Sequence, residues 1–363
     1  MRGARSMFFM DVAFLSIAIG CSLAIYGNYA ALHGPLLYDD KAAVLQMPVV
    51  TGAAPLEHMW HVDFWGTELA SPESHKSWRP LVTLTFAANY AIHGPSPFGY
   101  HVVNTALHVV VSAAVLPATR AAIDSGGEVD FSPGLASILF AVHPVHVEAV
   151  QNVVGRAELL MSLGYLGGFL TYTCAIGCGS CGTSSDLTRQ LAGLLLALSS
   201  TLVSTLCKET GVTLPLLCVA WDITVACRLH PLHVVQWAAY LLVLPLCRPG
   251  VVRRPPRLAE ARKLSYLLIR CGLLTAGGTA ISLWRFSRNG GTSPSFNAFA
   301  NPGICISLLE QNSYLSPLTS LSERRLLESL ARQPRCSRTC YTGHSRSPGS
   351  GLSTFGSSCG HRL

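Results

Sequence analysis

The chain has 363 residues, 50% of them hydrophobic and only 12% charged, where soluble domains carry about 25% charged residues. Its formal net charge of +7 would suit a nucleic-acid binder, but the basic residues flank apolar runs or gather in the last third of the chain, and no basic stripe with interleaved aromatics is present. These proportions exclude an ordinary soluble enzyme and a nucleic-acid partner, and they leave a membrane protein.

The apolar residues form runs close to the ~20 needed to cross a hydrocarbon core of about 30 Å. The runs are continuous rather than alternating, so helices satisfy the backbone in lipid where barrel strands would not fit the pattern. An all-α, polytopic membrane protein with about eight transmembrane helices is predicted. The first run, 8–30, follows Arg2 and Arg5 and predicts a signal anchor with a cytoplasmic N-terminus. Residues 33–98 then form a polar, aromatic loop on the far side of the membrane, with Trp60, Phe64, Trp65 and Trp78 suited to a membrane interface. Within that loop 81–92 is too short to span and predicts an interfacial helix. Further spans are predicted over 98–118, 132–145, 159–177, 191–206, 212–227, 233–247 and 264–284. If 233–247 crosses, Arg248, Arg253, Arg254, Arg257, Arg262 and Lys263 land on the far side, against the positive-inside rule, so a re-entrant piece is the alternative there. The membrane domain is expected over 1–302. Residues 303–363 are rich in Ser, Gly, Arg and Cys without an apolar run, and predict a disordered or foreign tail.

The polar groups that could carry chemistry sit at the ends of these runs. Asp39 and Asp40 follow the first span directly. A carboxylate there could take a proton from an acceptor hydroxyl at headgroup level, and the bland alternative is a solvated acid pair. In 141–150, AVHPVHVEAV, Pro144 should end the helix at His143. Glu148 could turn back into the bundle, and Arg156 could hold a phosphate by charge-assisted hydrogen bonds or simply anchor the helix end. His143, His146 and Glu148 read H-x-x-H-x-E, which lacks the four-residue histidine spacing of a helical zinc site. No metal site is predicted. Lys208 and Glu209 could neutralise each other, or Lys208 could bind phosphate. Lys76 and Arg79 in SHKSWRPL are a further basic pair, before a proline that starts a helix. Most cysteines lie inside apolar runs, as Cys21, Cys174, Cys207, Cys218 and Cys271 do, and read as small apolar side chains. Cys178 and Cys181 form a CxxC without a second pair at finger spacing.

The order of these blocks is more specific than any one of them. YDDKAAV, WHVDFWG, SHKSWRPLVTLTFAANY, FGYHVVNTALHVVVSAAV, FAVHPVHVEAVQNVVGRAELL and CKETGVTLP, with the later SPSFNAFANP, resemble the membrane half of the transmembrane and tetratricopeptide-repeat protein family over about residues 8–302. That family is similar to the protein O-mannosyltransferases. The resemblance implies a C-type glycosyltransferase fold in the endoplasmic reticulum membrane, and transfer of mannose from dolichyl-phosphate-mannose to Ser or Thr of proteins such as cadherins. The lipid-linked donor is a substrate, and no cofactor is implied. It matches Asp39 and Asp40 to the family's acidic pair, and Glu148 and Arg156 to its second polar cluster. Donor contacts are expected from Glu148, Arg156, Lys76, Arg79 and Lys208. No 34-residue repeat follows Pro302, so the chain is expected to stop before the family's repeats. A non-catalytic scaffold, a transporter or an inactive fragment are the alternatives.

Overall fold

A computed structural model describes residues 2–123, 130–177, 187–227 and 258–290, all within one unit, Met1–Phe296. Among the described residues there are helices and one isolated β-bridge, Val62 to Glu68, but no strand. The main helices are α1 (Arg2–Tyr26), α2 (Pro80–His93), α3 (Pro97–Ile123), α4 (Ser132–Val142), α5 (His146–Gln151), α6 (Arg156–Ile176), α7 (Leu187–Cys207), α8 (Leu214–Trp221) and α9 (Leu258–Arg288). Prolines open α2, α4 and α8 within their first turn, where the missing N–H costs nothing.

Among the described residues six stretches are long and apolar enough to span: Met7–Tyr26, Pro97–Ile123, Val153–Ile176, Leu187–Cys207, Glu209–Ala226 and Ser265–Arg288. The protein is therefore a multi-pass membrane protein. The expected span over 132–145 shortens to the 11 residues of α4, about 16 Å at 1.5 Å per residue, which is half a hydrocarbon core. The cause is Pro144: His143 turns extended, and the chain restarts as α5. The run 233–247, the CxxC at 178–181 and the tail 303–363 lie outside the described residues. The expected interfacial helix forms as α2, with Leu84 and Ile92 on an exposed face. It buries Val82, Thr83, Phe86 and Asn89 in the core.

Successive spans run antiparallel, and specific polar contacts fix their register. Arg120 near the end of α3 pairs with Asp11 near the start of α1 at 2.5 Å, while Thr105 Oγ1 donates to the Tyr26 carbonyl at 3.2 Å. The α6–α7 seam is built from small residues: a Cβ at Gly193 would stand 2.4 Å from that of Ala175, and one at Gly168 would stand 2.6 Å from Ser200. Such seams let helix backbones approach closely where lipid supplies no hydrophobic drive between helices. Asp222 accepts a two-pronged contact from Arg270, both bonds at 2.7 Å, and a third bond from the Tyr172 hydroxyl at 2.8 Å. This pair is buried and fully used, as an intramembrane ion pair must be. Because Asp222 meets Arg270, and Gly278 meets Pro215, α9 runs antiparallel to α8. Its first turns, with Arg262 and Lys263, therefore stand at one end of the bundle, and Arg285 and Arg288 stand at the other.

The loop between α1 and α2 closes that second end. Its centre is Asp63, which is 1% exposed. One carboxylate oxygen accepts from the Trp65 and Thr67 amides, at 3.0 and 2.9 Å, and the other from Ser74 Oγ and the His75 amide, at 2.7 and 3.0 Å. Around it pack Val44, Met47, Phe64, Val82, Phe86 and Tyr100, so the loop is a folded cap with its own core.

Candidate active site

The cap and the helix ends enclose an open cavity of about 470 Å³. Its polar lining includes Asp39, Arg79, His146, Glu148, Glu158 and Lys208, and its apolar wall includes Val111, Phe140 and Val145. Irregular backbone aims several of these side chains. Arg79 is the extended residue before Pro80 (φ −133), and Lys208 is the extended residue between α7 and a short 3-10 turn (φ −155).

The two adjacent acids separate. Tyr38, with φ +43, turns the chain so that Asp39 is exposed and lines the cavity. Asp40 is 3% exposed. It accepts from the Val154 amide at 3.0 Å and from the Leu37 amide at 3.3 Å, tying the cap to the start of α6. Burial raises the Asp40 pKa above its ordinary value, although the amides of Val154 and Leu37 and the nearby His101 pull the other way. The two carboxylates have different surroundings, and Asp39 is the one open to a ligand.

The expected donor-binding residues also divide. Arg79, Glu148 and Lys208 line the cavity. Arg156 does not. It is fully buried and donates to Asn104 Oδ1 at 2.8 Å, Asn89 Oδ1 at 2.9 Å, and the carbonyls of Tyr100 and Thr85 at 3.2 and 3.4 Å. Its guanidinium lies 4.6 Å from the Phe86 ring centre. Arg156 thus joins α2, α3 and α6, with its donors spent on protein. Lys76 is likewise inward. Its backbone is left-handed (φ +62), and its Nζ donates to the carbonyls of Leu69 at 2.5 Å and Ser71 at 2.9 Å. Arg156 and Lys76, expected as donor contacts, thus stand outside the cavity lining and spend these hydrogen bonds on protein.

The cavity cations have carboxylate partners. Lys208 pairs with Glu158, and Arg79 with Glu209 at 3.3 Å. Burial lowers the Lys208 pKa, as does the nearby Arg79, while Glu209 and Glu148 raise it. Arg79 Nε is buried without a hydrogen-bond partner among the described residues. Glu209 also accepts from Arg285 at 2.6 Å, and Arg285 donates to the Trp78 carbonyl at 2.7 Å and to that of Thr205. Arg285 carries no local signal in the sequence, because it ends an ordinary apolar span. Only the antiparallel return of α9 brings it here.

His146 packs on Phe140, with ring centres 4.1 Å apart, and its pKa is pushed down to about 4 by burial and by His108 and His143. It is a neutral imidazole at physiological pH. Among the described residues no three His, Cys, Asp or Glu side chains gather as metal ligands would. The site therefore offers two open carboxylates, Asp39 and Glu148, two cations that pair with further carboxylates, a neutral imidazole and an apolar wall, at one end of a membrane bundle. That set can take a proton from a hydroxyl and hold an anionic group on a lipid.

No protein-family model matches the chain, and no solved structure matches it. Among curated proteins it is 34% identical over 310 residues to "Protein O-mannosyl-transferase Tmtc3" of Drosophila melanogaster, covering 80% of this chain and 32% of that protein. It is 36% identical over 279 residues to "Protein O-mannosyl-transferase TMTC4" of Mus musculus, covering 74% of this chain and 36% of that protein. It is 40% identical over 205 residues to "Protein O-mannosyl-transferase Tmtc1" of Drosophila melanogaster, covering 56% and 22%. The chain spans well under half the length of these relatives.

Proposed function

The chain belongs, through its membrane half, to the transmembrane and tetratricopeptide-repeat family, and from this we propose that it carries the membrane-embedded site of a protein O-mannosyltransferase. The donor is dolichyl-phosphate-mannose, and the acceptor is a Ser or Thr hydroxyl of a secretory or membrane protein such as a cadherin. Asp39 accepts the hydroxyl proton as the oxygen attacks the anomeric carbon. The bond from that carbon to the phosphate oxygen breaks with its electron pair on the phosphate, and displacement from the opposite face inverts the carbon. Arg79 and Lys208 hold the phosphate and the charge it gains, a role suited to preorganised cations in a partly desolvated site. Glu148, near Lys208, and Glu158 are the cavity's other acids.

The observation that carries this reading is the convergence of Asp39, Arg79 and Lys208, far apart in sequence, on one cavity. The orientation adopted puts the N-terminus, which carries Arg2 and Arg5, in the cytoplasm, so that the first span delivers the cap to the far side. The cavity then faces the lumen, and the endoplasmic reticulum is the compartment the reading requires. The test is mannose transfer from dolichyl-phosphate-mannose to a Ser/Thr-bearing acceptor domain in vesicles containing the chain, or its membrane half restored to a full-length relative. Transfer that is lost in the double variant Arg79→Met, Lys208→Met supports the reading. Transfer unaffected by that variant, or no transfer in either setting, overturns it.

A further inference from the structure

The cavity has an aromatic side chain that the proton transfer and phosphate contacts leave unused. Trp65 lines it and is only partly buried. Two other tryptophans spend their indole N–H inside the protein: Trp78 on the Met59 carbonyl at 3.4 Å and Trp221 on the Ala121 carbonyl at 2.7 Å. The Trp65 indole N–H makes no hydrogen bond to any described residue. The backbone that carries the ring is held in place: the Trp65 amide is bound by Asp63, the following Gly66 turns at φ +89, and the Gly66 amide closes the turn on the Asp63 carbonyl at 3.1 Å. The ring packs against the cap's apolar cluster. A ring carried on a fixed turn, with its donor unspent, is a contact surface ready for a ligand.

Its position relative to Arg79 identifies what it can contact. The Trp65 ring centre lies 5.0 Å from that of Phe64, and the Arg79 guanidinium carbon lies 5.0 Å from the same Phe64 ring. Trp65 and Arg79 therefore lean on one side chain, the buried Phe64. A group bonded directly to a phosphate on Arg79 falls within reach of Trp65, and in a lipid-phosphate sugar that group is the hexose. The isoprenoid leaves the phosphate from its other ester and has a separate apolar wall in Val111, Phe140 and Val145, contributed by α3, α4 and the link after α4. A hexose presents C–H bonds polarised by their neighbouring oxygens, which pack favourably on the negative face of an aromatic ring. Its hydroxyls can accept the free indole N–H.

We propose that Trp65 is the sugar platform of the site: it stacks on the hexose of the lipid-phosphate donor and so separates sugar-bearing from bare lipid phosphate. This rests on the donor reading given above and adds a specificity-determining residue to it. The experiment measures binding of two probes to the full chain in lipid nanodiscs, a short-isoprenoid phosphate bearing mannose and the same isoprenyl phosphate without it. Trp65→Ala is expected to weaken the mannose-bearing probe about tenfold and the bare phosphate less than about twofold, with Trp65→Phe recovering most of the loss. Retained binding of the bare probe shows that the cavity is still folded. Equal weakening of both probes, or of neither, overturns the platform. Arg79→Met is the separate arm for the underlying reading. It should weaken both probes, and if it weakens neither, the phosphate site fails whatever Trp65 does.

Discussion

Replacing Asp39 and Asp40 one at a time by asparagine should separate chemistry from folding. Asp40 accepts two backbone amides, from Val154 and Leu37, with different oxygens. Asparagine keeps one acceptor oxygen and turns an NH2 group toward the other amide. A buried donor left unpaired costs about 1–3 kcal/mol. Part of that is offset, since the amide no longer carries a charge whose burial is unfavourable. A net loss of about 1–2 kcal/mol remains, or roughly 2–8 °C in the unfolding midpoint. Cys207 and Cys218 are buried free thiols and Cys174 an exposed one, so the rise in labelling by a thiol-reactive fluorogenic dye on heating, above the signal of the folded protein, reports unfolding in detergent. Asp39→Asn should leave that midpoint unchanged, within about 0.5 kcal/mol, and cut mannosyl transfer about 10²–10⁴-fold. Glu73→Gln, exposed in the same loop, is the matched control and should alter neither. Asp40 also leaves a pH signature. Its pKa is raised on folding, so its contribution to stability is complete below its ordinary value of 3.8 and is lost as pH rises through the raised native value. That part of the pH dependence should vanish in Asp40→Asn. A stable Asp40→Asn variant that has lost transfer, or a destabilised Asp39→Asn variant, would refute the division.

Three other outcomes test the surroundings of the cavity. The His146 pKa is lowered from 6.5 to about 4, so its contribution to stability is present above 6.5 and is lost as pH falls through the native value; the midpoint of His146→Gln should fall less than that of the parent between those limits. Arg285→Leu strips donors from the Trp78 and Thr205 carbonyls and one partner from Glu209. It should cost at least about 1–3 kcal/mol, seen as an earlier thiol exposure on heating, and Arg285→Lys should restore only part because an ammonium lacks the planar fork; an unchanged midpoint would show that α9 does not brace the cap. Ala53 is exposed on the cap, so a glycosylation sequon made by Ala53→Asn with Pro55→Ser should be modified in microsomes, whereas cleavage there by a protease added outside the vesicles would reverse the orientation.

The spans were legible where burial is a local property. Runs of about twenty apolar residues cross the membrane whatever their neighbours are, and α1, α3, α7 and α9 follow from that. Pro144 was legible as a break, and α4 does end at its C-cap His143. Sequence also marked which end of each helix carries polar groups: Asp39, Arg79, Glu148, Lys208 and Glu209 all stand just outside apolar runs, and strict alternation of the runs puts them on one side. Side-chain direction was not legible, because it depends on partners distant in the chain. Arg156 and Arg79 are both arginines at helix starts beside aromatic residues. Arg156 is drawn inward because Asn104 and Asn89 arrive from α3 and α2 with oxygens at 2.8 and 2.9 Å. Arg79 meets one carboxylate, from Glu209, and keeps a donor unspent. Asp39 and Asp40 are neighbours in a segment with no repeating period, so nothing local says which faces the cavity. The choice is made by the Val154 amide, which comes from the start of the 153–176 span. A buried polar group is recruited by whichever unsatisfied partner the fold brings to it, and the groups left over at the same end of the bundle are those still able to bind something else.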